Sequence, residues 1–132
     1  MTDPEQLTKL AAAFAAEKKA IDMVALDLRG VAGYTDFFII CQGNTDRQVK
    51  AIHDGVHLGM KKSVGALPRR VEGVSEARWI LMDYLDVVVH VFTPETREFY
   101  RLDQLWGEVP RIDLDLAELT GLAKLVPEAA SA

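Results

Sequence analysis

Apolar residues along this chain recur with two different periods, and the switches between them mark out its elements. Behind Asp3-Pro4, Leu7, Leu10 and Phe14 recur at helical spacing. Asp3 suits the N-cap, Pro4 the first helical position, and Gln6 is placed to reach back, so a first helix is predicted to about Lys19. "MVALDL", from Met23 to Leu28, reads as a short strand, and "RGVAGYT" as its loop. "DFFIICQG", from Asp36, is a continuous apolar run, the pattern of a strand covered on both faces. At Gly43 the period changes. Asn44-Thr45-Asp46 is a cap cluster, and Val49, Ile52, Val56 and Met60 form one helical stripe, giving a second helix to about Lys62. Gly55 and Gly59 weaken that helix by about 1 kcal/mol each relative to Ala unless close packing needs them.

"SVGALP" reads as a loop and "RRVEG" as a short edge strand. "WILMDYLDVVVHVF", from Trp79 to Phe92, breaks into two strands around Tyr84-Leu85. Thr93-Pro94 starts a third helix carrying Phe99 and Tyr100, which stops in "LDQLWGEVP" at Gly107 and Pro110. The tail "RIDLDLAELTGLAKLVPEAASA" has a helical stripe of Leu116, Leu119, Ala123 and Val126, limited by Gly121 and Pro127. It is expected to be a frayed or partner-dependent helix with a disordered end. The whole is an α/β fold: one domain over residues 1–110 with a mixed sheet and flanking helices, then a tail over 111–132.

The hairpin raises the question of chemistry, because an apolar stretch here carries two carboxylates and a histidine. With a two-residue turn at Tyr84-Leu85, Asp83 faces Asp86, Leu81 faces Val88 and Trp79 faces His90. Ile80, Met82, Val87, Val89 and Val91 then fill one apolar face, and Trp79, Leu81, Val88 and His90 share the other with the two acids. Tyr-Leu is poor chemistry for so tight a turn, and a longer loop would loosen these parities. Two like charges at a hairpin end can raise one pKa. Yet no nucleophile, oriented base or electrophile-holding group accompanies them. The Trp-His face edged by acids suits a protein contact, or else the chain's own helices cover it.

Composition narrows the choice. With 132 residues, 49% hydrophobic, the chain can build one core without staples. A net charge of −5 argues against gripping nucleic acid alone, since phosphate binding needs clustered Lys and Arg. One cysteine, Cys41, excludes a disulfide framework and fits a reducing cytosol. No run is long enough for a membrane span, and "MTDPEQLTKL" lacks a signal-peptide layout, so the cytoplasm is expected.

Three other patterns have simpler readings. "HDGVH", His53 to His57, has the spacing of zinc-protease helices, but its acid is Asp54, one methylene short, and no third ligand follows. Solvent-facing histidines and no metal are expected. "GNTDRQ", Gly43 to Gln48, could hold an anion at a helix start, but a capping box of Thr45 with Gln48 explains it. Some nucleotide-transferring enzymes open a helix this way and place two acids one residue apart on the next strand. Here Asp54 falls in the helix and residue 56 is Val. Cys41 is expected to be a buried, inert thiol.

"DFFIICQGNTDRQVKAI", "EG", "WILMDYLDVVVHVF" and "REFYRLDQLW", in this order and spacing, resemble the ribosomal silencing factor, or Iojap-like, family. The match covers the first helix to Pro110, and "GEVPRIDLDL" looks like the extension of actinobacterial members. The resemblance implies a nucleotidyltransferase-like fold without catalytic acids, no enzymatic activity and no cofactor. It implies binding to the large ribosomal subunit at its fourteenth protein, blocking of subunit joining when nutrients are scarce, and homodimers in several cases. Organellar relatives act in ribosome assembly, which makes an assembly factor the alternative; a divergent nucleotidyltransferase or metal-dependent hydrolase, using Asp83, Asp86, His53 and His57, stands behind it. Family positions fall on Asp36, Gly43, Arg47, Gln48, Glu72, Gly73 and Trp106, and on the contact candidates Trp79, Asp83, Tyr84, Asp86, His90 and Tyr100. Many members have Gly where this chain has Leu85, which bears on the turn.

Overall fold

The first helix forms where its cap requires. The Asp3 carboxylate accepts from the backbone N–H groups of Glu5 (3.3 Å) and Gln6 (3.4 Å), and α1 runs Pro4–Glu17. The structure, a computed structural model, describes residues 3–124, apart from the side chains at 103, 116, 123 and 124. Strands β1 (Ile21–Asp27) and β2 (Phe37–Gln42) follow, then α2 (Asp46–Val64). Thr45 Oγ1 accepts from Gln48 N at 3.1 Å, while Gln48 Oε1 accepts from Asn44 N at 2.8 Å. This reciprocal capping occupies the helix start with the chain's own side chains. The helix ends on Gly65 at φ 67, the left-handed cap that glycine adopts without strain. Next come β3 (Arg70–Glu72), β4 (Trp79–Asp83), β5 (Val87–Phe92), α3 (Pro94–Tyr100), α4 (Leu102–Leu105), β6 (Arg111–Ile112) and α5 (Leu116–Lys124).

The six strands form one mixed sheet in the order β3-β4-β5-β2-β1-β6. Among the described residues, only β2 and β5 pair in parallel, with Ile39 opposite Val89. Both faces of β2 are buried, as its continuous apolar run predicts. Phe37, Ile39 and Cys41 join Ile80, Met82, Val87, Val89 and Val91 against Ala11 and Phe14 of α1 and Val49, Ile52, Val56 and Met60 of α2. On the opposite face, Leu26, Leu28, Phe38, Ile40, Val88 and Phe92 lie under a thinner cover from Ala32, Leu102, Trp106 and Val109. The sheet thus has a thick side of long helices and a thin side of loops and two short helices.

Three expectations need correction. The β4–β5 pairing places Leu81 opposite His90 and Asp83 opposite Val88, two residues away from a Tyr84-Leu85 turn. Tyr84 N–H donates to Val87 O at 2.9 Å, so the turn residues are Leu85 and Asp86. Asp83 and Asp86 therefore do not face one another. Because the slip is an even number, the two faces keep their predicted membership. The third helix does not continue to Gly107. Arg101 adopts the left-handed conformation at φ 49 and separates α3 from α4. Finally, the segment after Pro110 belongs to the domain. Arg111 and Ile112 pair with β1, Asp115 Oδ1 accepts from Ala117 N at 2.8 Å, and Leu119 is buried against the core. The last five residues and Val126 lie outside the described residues. Among the described residues no helix is long and apolar enough to cross a membrane.

Candidate functional site

The thin side of the sheet carries a chain of aromatic rings that begins at β4. Gly73, at φ 86, closes a turn in which Ala77 N–H donates to Gly73 O at 2.9 Å. A Cβ at Gly73 would collide with the Trp79 carbonyl oxygen, so glycine lets this turn press against the strand that carries the indole. The half-buried Trp79 ring packs on Phe92, with centroids 4.9 Å apart, and on Tyr100, at 4.8 Å. Tyr100 is 53% exposed, and Phe99, 79% exposed, meets it edge-on at 5.0 Å. Leu105 of α4 is exposed as well.

His90 lies beneath this strip, 3% exposed. Trp79 Nε1 donates to its Nδ1 at 3.1 Å, and its ring meets Phe38 edge-on at 4.5 Å. Burial drives its pKa down to about 3, so the imidazole is neutral at physiological pH. The neutral ring therefore serves as an acceptor for the indole rather than as a cation.

The other three candidates sit at the hairpin end. Asp83 is 5% exposed; its Oδ2 accepts from Arg69 Nε at 3.1 Å and its Oδ1 from Leu85 N at 2.8 Å. These bonds stabilise a turn in which Leu85 sits at φ 77 and Asp86 N–H donates to Tyr84 O at 3.0 Å, a γ-turn with a left-handed central residue. That conformation favours glycine, and here Leu85 bears the strain. Asp86 O accepts from the N–H groups of Asp36 (3.1 Å) and Phe37 (3.0 Å), tying the turn to β2. Tyr84 points to the helix side, 7% exposed, and burial pushes its phenol pKa up. Its parity with Ile80 and Met82 was the signal for that.

The six sequence candidates therefore divide. Trp79, His90 and Tyr100 form one cluster, while Asp83, Tyr84 and Asp86 stand apart at the turn. Trp79, Asp86 and Tyr100 reach the surface; Asp83, Tyr84 and His90 are buried. Phe99 and Leu105, exposed on α3 and α4, are not among the sequence candidates, because periodicity places them on helices without showing whether another element covers them.

The remaining patterns resolve simply. His53 Nδ1 lies 2.8 Å from Asp54 Oδ1 and its ring 5.8 Å from that of His57, both rings half-buried rather than fully solvent-facing. Among the described residues, no group of three or more His, Cys, Asp or Glu could hold a metal ion. Cys41 is fully buried, and burial raises its thiol pKa to about 12.

Fold and site together describe an α/β domain that displays a half-exposed aromatic strip on the thin side of its sheet. The family model described as "Ribosomal silencing factor during starvation" matches residues 1–130. Over 111 residues the chain is 43% identical to Ribosomal silencing factor RsfS of Bacillus subtilis (strain 168), covering 84% of this chain and 93% of that one. A crystal structure of a protein from Bacillus halodurans superposes with a TM-score of 0.74 at 40% identity, covering 83% of this chain and 99% of that one. The chain is also 30% identical over 114 residues to "Mitochondrial assembly of ribosomal large subunit protein 1" of Mus musculus, with 85% of this chain and 49% of that one covered. The chain thus spans about half of that mouse relative. It belongs to the ribosomal silencing factor family. Its role is ribosome silencing, that of a non-enzymatic regulator.

Proposed function

We propose that this protein represses translation by binding the large ribosomal subunit at its fourteenth protein, and that it sterically blocks small-subunit joining when nutrients are limiting. The observation that supports this mode of attachment is the strip of Trp79, Tyr100 and Phe99 on the sheet face that, among the described residues, loops and short helices cover thinly. Trp and Tyr are frequent interface anchors. A chain with net charge −5 does not compete for ribosomal RNA by charge, so a protein surface on the subunit suits it better. A contact of about 800 Å² per partner is enough for specific binding. Trp79, Tyr100 and Asp86 touch the partner; His90 holds the indole from beneath, while Asp83 and Tyr84 order the turn that carries Asp86. Silencing then needs no chemistry, only occupancy of the joining surface in the cytoplasm where ribosomes work.

Co-sedimentation with purified large subunits tests the reading. A folded Trp79→Ala, Tyr100→Ala variant loses at least ~2 kcal/mol of binding, about 30-fold in Kd. Full binding by that variant removes the strip from the interface. The mouse relative's name favours a second reading, in which the same face serves subunit assembly. Co-purification with precursor rather than mature subunits selects it.

A further inference from the structure

We infer that His90 is a positioning residue that fixes the Trp79 indole, so that the ribosomal partner meets Trp79 through an apolar side chain rather than through a hydrogen-bond acceptor. This rests on the docking reading above and names the chemistry of one contact within it. The two ring nitrogens of His90 have different surroundings. Its Nδ1 lies 3.1 Å from Trp79 Nε1, and an indole nitrogen only donates. His90 Nδ1 must therefore carry its lone pair, which places the single proton of the neutral ring on Nε2. That Nε2 is buried and has no hydrogen-bond partner among the described residues. An unpaired buried donor is costly. The opposite tautomer would set two N–H groups head to head, so the orphaned Nε2 follows directly from holding the indole.

Two consequences reach the surface. The only polar group of the Trp79 side chain is committed inside the protein, leaving the partner a hydrocarbon plate to pack against. The plate is also held in one orientation, by the hydrogen bond at one edge and by the Phe92 and Tyr100 rings at 4.9 Å and 4.8 Å. An anchor fixed before docking loses less freedom on binding than one that must be ordered by the partner. A side chain that recognises this plate is aliphatic or aromatic; a carbonyl or carboxylate aimed at the indole nitrogen finds its donor already taken.

The test compares Trp79→Ala, Trp79→Phe, His90→Phe and the Trp79→Phe, His90→Phe double variant for binding to purified large subunits. Trp79→Phe weakens binding about threefold, because a ring without the N–H still packs. His90→Phe weakens it about tenfold, because the indole loses its acceptor and its fixed orientation. In the Trp79→Phe background, His90→Phe adds no further loss. Additive losses, or Trp79→Phe binding as poorly as Trp79→Ala, overturn the inference. Normal binding by Trp79→Ala is a different failure, that of the docking reading itself. Long-range 1H–15N spectra of the free protein decide the histidine's part without ribosomes and without any His90 variant. They are expected to show His90 as the Nε2–H tautomer, with the preference relaxed in Trp79→Phe; an Nδ1–H tautomer overturns the inference.

Discussion

Gly55 and Gly59 lie one turn apart on α2, and the structure gives their replacement by alanine opposite signs. A Cβ built at Gly59 falls 2.5 Å from Phe14 Cγ and 2.6 Å from both Cδ atoms. Phe14 is itself fully buried where α1 crosses α2, so its ring has nowhere to retreat. Overpacking of this kind costs about 1–3 kcal/mol, against a helix-propensity gain of about 1 kcal/mol. Gly59→Ala is therefore expected to destabilise by about 1 kcal/mol. A Cβ at Gly55 meets Lys18 at Cγ (2.6 Å), Cε (3.0 Å) and Cδ (3.3 Å). Lys18 is an exposed, flexible side chain that can swing into solvent. The propensity gain then dominates, and Gly55→Ala stabilises by about 0.5–1 kcal/mol. Urea unfolding measures both as shifts in midpoint at constant slope. Adding Phe14→Leu to Gly59→Ala should recover part of the loss, since it removes the colliding ring atoms. Equal stabilisation by both alanines would refute the claim that α1 and α2 cross at a contact only glycine permits.

Other expectations follow from strained or buried groups. Leu85→Gly relieves a left-handed side chain worth about 1–2 kcal/mol and gives back about 0.5–1 kcal/mol through a freer unfolded chain, so a net gain near 0.5–1 kcal/mol is expected by denaturant titration. The buried, neutral His90 makes the fold acid-sensitive. Its folded pKa of about 3 lies below the unfolded value of 6.5, so the unfolded state binds the extra proton and stability falls as pH drops below 6.5. The loss approaches 1.4 kcal/mol per pH unit, about 2 kcal/mol by pH 5, and His90→Phe should flatten the stability profile between pH 7 and 5.

The architecture was legible in the sequence wherever burial has a period. Alternation along Trp79–Phe92 separates the two faces of the hairpin, and the unbroken run of β2 marks it as covered on both. Caps at Asp3 and Thr45 fix two helix starts through local hydrogen bonds that need no tertiary information. The hairpin register was not legible, because a slip of two residues leaves every side chain on its own face. Nothing in a leucine announces the left-handed conformation that Leu85 adopts; Asp83 and the strands impose it. In the segment after Pro110, Ile112, Leu114 and Leu116 alternate with polar residues, a strand signal outweighed by the helical stripe that follows. The site was half legible. Alternation along the hairpin put Trp79 and His90 on one face and the family resemblance added Tyr100, but only the packing distinguishes the buried histidine from the half-exposed indole and sets Tyr100 beside it.

Subunit joining is the process that a steric block must stop. Purified large subunits are incubated with the protein at saturating concentration, small subunits are added, and intact ribosomes are resolved from free subunits by gradient sedimentation. Intact ribosomes should fail to form with the wild-type protein, which travels with the large subunit, and should form normally with the folded Trp79→Ala, Tyr100→Ala variant. Undiminished joining while the wild-type protein remains bound would contradict the steric mechanism, and equal blocking by the variant would contradict the aromatic strip as the point of attachment.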